Sequence, residues 1–437
     1  MTGPLSHAVT VRRRFLTLLG LRWLQTGLLI PVVVLLPLER GLSLGQVGLA
    51  FAAQGLIVLV LELPTGGLAD AIGRRRVLLM AGAFQAAAIA LATVADSLPL
   101  FALVFALQGV YRALESGPLD SWYVDTAQAV DPQVSIERGL SLGGLVTSVA
   151  IAVGTLGSSA LVALAPLPGI NPLVTPLIAA LVLQAVQVAA IATLMTEETG
   201  ERTSGGLRHA VLEVPAIIAA AISTVRASGV LVALVAVEFL WGFGMTAFEV
   251  LTPAKLGVVL GSADRAAALL GPINTGAWVV AGGGAALVPW LTRHWTPSVA
   301  GAALRIAQGA TVLGIALVAG PIGVVIAYVL TMGVHGAANP VHMGLLHRAV
   351  VDPANRATVV SANSLTAQTG GMLGGIALGA LADATSLTMA IVVGAVVLAA
   401  AAPLYLVAGR SQHQRVKPDM EPTLIPATSS RGDTTSA

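Results

Sequence analysis

Glu62-Leu63-Pro64-Thr65-Gly66-Gly67-Leu68-Ala69-Asp70-Ala71-Ile72-Gly73-Arg74-Arg75-Arg76 lies between two apolar runs, residues 44–61 and 77–94. Two hydrophobic helices are therefore joined by a short stretch that carries two acids, Glu62 and Asp70, with three arginines and three glycines. A soluble protein has little use for such a turn. In a polytopic membrane protein it reads as an inner-side link, because short inner loops collect Arg and Lys.

The composition agrees. The chain has 437 residues, 56% hydrophobic and 10% charged, with a mean hydropathy of +0.87. A soluble domain carries about 25% charged residues, so this one has too little charge to cover a surface in water. The net charge is only +2 and aromatic residues make up 4%. The arginines are spread over short loops, which argues against a nucleic-acid face. Cysteine is absent, which excludes disulfides, thiolate metal sites and cysteine nucleophiles. Arg12, Arg13 and Arg14 precede the run 15–36, which is longer than a secretory signal core and lacks a small-residue cleavage site, so it is expected to stay as a first span.

A spanning helix takes about 20 apolar residues. Candidate spans fall at 15–37, 44–64, 77–95, 98–119, 139–164, 173–195, 228–251, 267–291, 300–320, 321–345, 358–381 and 385–408, numbered here one to twelve. Only Gly320-Pro321 separates nine from ten. With both termini inside, Arg40, Lys255 and Arg265 fall outside, Arg22 and Arg112 fall within spans, and the remaining basic residues are assigned to the inner side. The expected organisation is a six-helix bundle over 1–195, an inner linker with an interfacial helix over 196–227, a second six-helix bundle over 228–410 and a disordered inner tail over 411–437.

The halves read as repeats. Val130-Asp131-Pro132 follows span four and Val351-Asp352-Pro353 follows span ten, with Arg138 and Arg356 a few residues later. Gly284 to Arg293 is a faint copy of the opening turn, with Val288 where the first copy has Asp70. Two six-helix repeats are a known transporter plan.

Gly66, Asp70, Gly73, Arg74 and Arg75 match the pattern G-x-x-x-D-x-x-G-R-[RK]. In this turn the pattern resembles the signature of the major facilitator superfamily, and the chain is similar to its bacterial drug and metabolite efflux members over residues 12–408. Arg112 resembles the basic residue of the family's span-four motif, with the later glycine one place out of register in Glu115-Ser116-Gly117. Gly154 and Gly157 stand where antiporters of the family carry a G-x-x-x-G-P pattern, but without the proline. The resemblance implies an all-α membrane protein with twelve transmembrane helices in two pseudo-twofold six-helix bundles. It implies a multi-pass, monomeric protein of the cell membrane, with a small-molecule substrate, protons as coupling ion and no cofactor. It also implies a latch on the inner side, in which Asp70 faces the positive end of span eleven and Arg74 pairs with Asp120 or Asp125, Asp125 being preferred. Gly66 and Gly73 allow close approach or positive φ, and Arg76 serves as a topology anchor.

Ionisable residues at membrane depth are costly and tend to be functional. The deep ones are Arg22, Arg112, Glu115, Glu238 and His335, with Glu249 and His342 nearer the ends, all on spans one, four, seven and ten. The other eight spans are read as free of mid-membrane charge. Arg112 and Glu115 are three apart and are expected to touch, so a structural ion pair competes with a functional site there. Glu238 and Glu249 return to one helix face roughly 16 Å apart. Glu238 is the first candidate to bind a proton or a cation, and Glu249 is either a second such group or a rim residue. His335 and His342 share a face and either exchange protons or pack helices; they lack a third ligand for a metal. Trp23, Tyr111, Trp122, Tyr123, Trp241, Phe248 and Trp278 are candidates to wall a cavity, with Trp241 and Phe248 best placed to receive a lipophilic cation. The reading is a secondary transporter exporting a small amphipathic or cationic compound against inward proton flow. Uptake of a metabolite or anion through Arg22 and Arg112 is the alternative, followed by a non-transporting membrane sensor. No metal-binding helix pattern, nucleophile motif or phosphate loop points to an enzyme.

Overall fold

Helix accounts for all regular structure among the described residues of the computed structural model, which are 4–196, 219, 222–350 and 355–415. Span one is Pro4–Leu29, followed by the short helix Leu35–Glu39; span two is Leu44–Ile72, span three Arg74–Val94, and span four Leu98–Glu115 with Pro118–Val130. Spans five and six are Ile136–Leu164 and Thr175–Leu194. Span seven is Gly229–Glu249 with Leu251–Leu260, and span eight is Ala263–Ala286 with Val288–His294. Spans nine to eleven are Pro297–Leu317, Pro321–Ala349 and Arg356–Ala384, and span twelve is Leu387–Ala400 with Ala402–Arg415. Among the described residues, ten segments are long and apolar enough to cross a membrane by themselves. Spans one and eight are full-length helices outside that set. The first carries Arg12, Arg13, Arg14 and Arg22, and the second opens with Asp264 and Arg265.

The opening stretch is more helical than its composition suggests. Span two runs through Glu62 and Asp70 to Ile72, and the turn contracts to Gly73, with φ 97° and ψ 142°. That region of backbone space favours glycine, and span three starts at the next residue. Other starts follow ordinary capping chemistry: Ser43, Ser135, Ser228, Ser262, Thr296 and Ser386 each accept a backbone N–H of the first turn on the side-chain oxygen. Span four breaks at Gly117, with Pro118 opening its second helix. Pro272 and Pro340 lie inside helices. The expected copy of the opening turn is different in form: Gly284 lies within a helix and Leu287 links it to the next. Helix also continues to Arg415, past the expected start of the tail. Most of the expected linker, 197–218 with 220 and 221, and the tail from 416 lie outside the described residues.

Helix neighbours repeat between halves. Span one packs on five and six, two on four, and three on four and six. Correspondingly, seven packs on eleven and twelve, eight on ten, and nine on ten and twelve. The two bundles meet along two seams, span two with span eleven and span five with span eight. The end of the molecule that carries the Arg74 turn is termed the basic face, and the opposite end the far face. Leu164, Ile322 and Val279 are 75%, 74% and 72% exposed. A large apolar side chain left this bare suits contact with lipid.

Both seams close in their far-face halves. A methyl group on Gly48 of span two would collide with the carbonyl oxygen of Gly375 on span eleven, so the backbones touch without intervening side chains. In the other seam Ser159 Oγ donates to the Ala267 carbonyl at 2.6 Å and accepts the Gly271 N–H at 2.8 Å.

Candidate functional site

A cavity of about 600 Å³ lies between the bundles. Span two supplies an apolar side with Phe51 and Val58, and span four supplies Arg112. Span seven supplies Glu238, Trp241, Met245 and Glu249, while spans ten and eleven supply Asn339, Asn363, Ser364 and Gln368. The surface is therefore amphipathic. It has apolar and thioether groups, a set of amides, two carboxylates and one guanidinium. Glu249 ends the helix Gly229–Glu249 and is exposed, and it is exposed into the cavity.

Glu238 is 12% exposed, and its Oε2 lies 3.2 Å from His342 Nε2. His342 is buried and also contacts Asn363 Oδ1 at 3.2 Å through Nε2 and the Tyr405 hydroxyl at 2.9 Å through Nδ1. With Tyr405 donating to Nδ1, the proton of a neutral imidazole sits on Nε2 and points at Glu238 and Asn363. A hydrogen-bonded line thus runs from span twelve through span ten to a carboxylate in the cavity wall.

Arg305 stands behind this line. It is 2% exposed on span nine, donates to Gln308 Oε1 at 2.7 Å, and places its guanidinium carbon 5.8 Å from the Trp241 ring centroid. The sequence reading, which held eight spans free of mid-membrane charge, is wrong at this residue. The signal was available: an arginine eight residues past Pro297, within an Ala- and Gly-rich run, with Gln308 one turn on. His335 stacks on Trp241 with centroids 5.6 Å apart and planes 7° apart, and lies 5.9 Å from Phe248. Trp241 is thus held between protein groups on span nine and span ten, and it also lines the cavity.

The amino-terminal bundle is arranged differently. Glu115, 3% exposed, pairs with Arg22 of span one and not with Arg112 three residues away. Glu115 ends its helix before the break at Gly117, and this end packs inside the bundle, whereas Arg112 turns to the cavity. Arg22 also lies 4.6 Å from the centroid of Trp23. The other aromatic candidates are not in the cavity wall. Trp122 and Tyr123 are buried in a core on the basic-face side with Phe15, Tyr111 is buried in a separate small core, and Trp278 is 57% exposed.

At the basic face Arg74 donates to Asp125 Oδ2 at 2.5 Å, with side chains 23% and 61% exposed. Arg75 donates to the Ala192 carbonyl in the last turn of span six, where cations are favoured. Gly66 and Asp70 lie on the helix of span two, and the expected contacts of these two residues fall outside the described side chains.

A paired-bundle architecture around a central amphipathic cavity is what the comparisons return. The Major Facilitator Superfamily family model matches residues 15–350. The chain belongs to that superfamily. No curated protein matches. Among solved structures, the nucleoside transporter NupG is similar at 13% identity, with a TM-score of 0.74, covering 92% of this chain and 99% of that one. A bacterial homologue of the human lysosomal transporter Spinster, in an inward-facing and unoccupied conformation, gives 16% identity, a TM-score of 0.70 and coverage of 93% and 98%. A peptide transporter bound to sulfate gives 14% identity, a TM-score of 0.66 and 94% coverage of each chain. At these identities the likeness carries the fold. Membership of the superfamily makes the chain a multi-pass membrane protein and a secondary transporter.

Proposed function

We propose that the chain exports a small amphipathic or cationic compound across the cell membrane in exchange for protons. The basic face lies in the cytoplasm, both termini are there, and a single chain is the working unit. The observation that carries this reading is the Glu238–His342 contact, 3.2 Å, at the wall of the central cavity. A carboxyl in that position can hold either a proton or a cation, so occupancy by one displaces the other. The wall around it carries two carboxylates against one guanidinium, with apolar groups opposite, and this suits a cation with a hydrophobic body. Trp241 contributes a flat apolar edge and an indole N–H that has no protein partner among the described residues.

Closure of both seams on the far-face side leaves the cavity to open toward the basic face, and alternating access then needs both seams to part. Asp70 and Arg74 are proposed to hold the basic face when it closes. Uptake of an anion is the second reading, favoured by Arg112 in the cavity wall; Arg22 does not assist it, being paired with Glu115.

Inside-out vesicles carrying the protein test the reading with ethidium as the probe cation. An acid-inside pH gradient should drive ethidium uptake, and collapse of the gradient should stop it. Uptake that ignores the gradient would reject proton exchange, and absence of ethidium uptake with gradient-driven release of an organic anion preloaded into the vesicles would favour the second reading.

A further inference from the structure

Asp383 ends the regular part of span eleven on the far face, exposed and outside the cavity. Its carboxylate crosses the seam to the first turn of span two. Ser43 Oγ donates to Oδ2 at 2.6 Å, the Gly45 N–H donates to Oδ2 at 2.8 Å, and the Leu44 N–H donates to Oδ1 at 3.0 Å. The rest of that turn is satisfied locally. The Gln46 N–H reaches Ser43 Oγ at 3.3 Å, the Ser43 N–H reaches Gln46 Oε1 at 2.9 Å, and the Val47 N–H reaches the Ser43 carbonyl at 2.9 Å. Two of the donors that any helix start leaves open are thus met by a residue of the other bundle. A Cβ on Gly45 would stand 2.6 Å from Oδ2, so the absence of a side chain there is what admits the carboxylate.

The sequence around Asp383 repeats the opening stretch. Gly379-Ala380-Leu381-Ala382-Asp383 and Gly66-Gly67-Leu68-Ala69-Asp70 share the pattern G-x-L-A-D. The two copies sit at the carboxy-terminal ends of spans two and eleven. These helices run antiparallel and pack on each other. Each therefore brings an aspartate to the face on which its partner begins. Among the described residues no carboxylate bridges the other seam. Its link is the uncharged Ser159, and span eight starts on its own Ser262.

We propose that Asp383 is a conformational latch, which holds the far face closed by capping span two across the seam and must let go when that face opens. It is the far-face counterpart of Asp70 on the same helix pair, and its function rests on the alternating-access reading above. Carboxylate capping favours the closed state because the first turn of a helix carries partial positive charge and open N–H donors. In the open state water takes over those donors, so the latch biases the equilibrium and does not lock it.

The natural chain lacks cysteine, so label pairs can be placed in the otherwise unaltered protein. Asp96→Cys and Ala319→Cys put spin labels on exposed far-face links of the two bundles, and pulsed electron resonance reads the distance between them. The parent pair should show mainly the short distance. Asp383→Ala should lower the ratio of short- to long-distance populations by about fivefold, Asp383→Asn by less, and Gly45→Ala should shift it in the same direction by keeping the carboxylate out. The Gly45→Ala variant decides the matter if Asp383→Ala does not fold. Unchanged distances in every folded variant overturn the latch. A shift in distances together with gradient-independent ethidium uptake by the parent protein would leave the latch standing and remove the proton-exchange reading.

Discussion

In the amino-terminal bundle two of the three deep charges face one another: Arg22 of span one and Glu115 of span four pair inside the bundle, away from the cavity, while Arg112 reaches the cavity wall. In the carboxy-terminal bundle they face the space between the bundles. Glu238 and Glu249 line the cavity, His342 backs Glu238, and Arg305 stands a layer behind. The helix plan is the same in both halves, so the difference lies in the side chains. A charge neutralised within a bundle helps define that bundle. A charge left at the cavity wall needs something from outside the bundle, either a proton or a substrate. Asymmetry of this kind lets a duplicated fold keep one half as a frame and use the other for chemistry.

The largest effect should come from breaking the frame. Glu115→Ala leaves the Arg22 guanidinium without its partner, and removing one member of a buried pair costs about 3–5 kcal/mol. Chemical denaturation of the detergent-purified protein should show a loss of that order. Replacing both residues, Arg22→Met with Glu115→Leu, should recover most of the stability and retain ethidium transport. Lost transport in a stable double variant would mean that the pair belongs to the working site, and the contrast between the bundles would fail.

Next in size is Glu238→Gln. An amide keeps the shape and some hydrogen bonding but cannot release a proton. Gradient-driven ethidium uptake should fall on the order of 100-fold, as expected for a lost proton-transfer group. Exchange of ethidium at equal pH on both sides should persist. Equal loss of both activities would make Glu238 a structural residue like Glu115. His342→Gln removes the imidazole from the Tyr405–His342–Glu238 line while leaving the carboxylate in place. Gradient-driven uptake should fall about tenfold, with equal-pH exchange again retained. An unchanged rate would show that Glu238 exchanges its proton directly with cavity water.

Much of this was readable beforehand, for physical reasons. Apolar runs of spanning length and the boundary at Gly320-Pro321 mark helices, because a lipid-embedded backbone has few alternatives. The acid and basic residues of spans four and seven stand out because charge at that depth is rare. Rotational placement was less readable. Periodicity brings Arg112 and Glu115 onto neighbouring positions of one helix, and only the packing of span one on the same helix shows that Arg22 takes the carboxylate. Trp278 has the composition of a cavity residue and the orientation of a surface one. Arg305 falls among the basic residues assigned to the inner side because it lies toward the start of the weakly apolar run 300–320, yet it is buried, and Gln308 and Trp241 accommodate it. Glycine and charge cluster in the opening stretch, which is the pattern of a turn. The helix passes through nearly all of it, and Gly73 alone makes the turn.

The smallest effect is expected where the sequence pattern is strongest. Arg74 and Asp125 make a short contact at the basic face, but the aspartate is 61% exposed, and exposed pairs contribute about 0–1 kcal/mol. Arg74→Gln should therefore leave the denaturation midpoint almost unchanged, in contrast to Glu115→Ala. If the pair serves the basic-face latch, its effect should appear in conformation instead. Labels on the far-face positions Asp96→Cys and Ala319→Cys should shift modestly toward the short distance, opposite in sign to Asp383→Ala, because a weakened basic face lowers the population with the far face open. A stability loss as large as that of Glu115→Ala, with no change in the distances, would place Arg74 in the frame. The amino-terminal frame would then rest on a surface ion pair as firmly as on its buried one, and Arg74 would have no part in a basic-face latch.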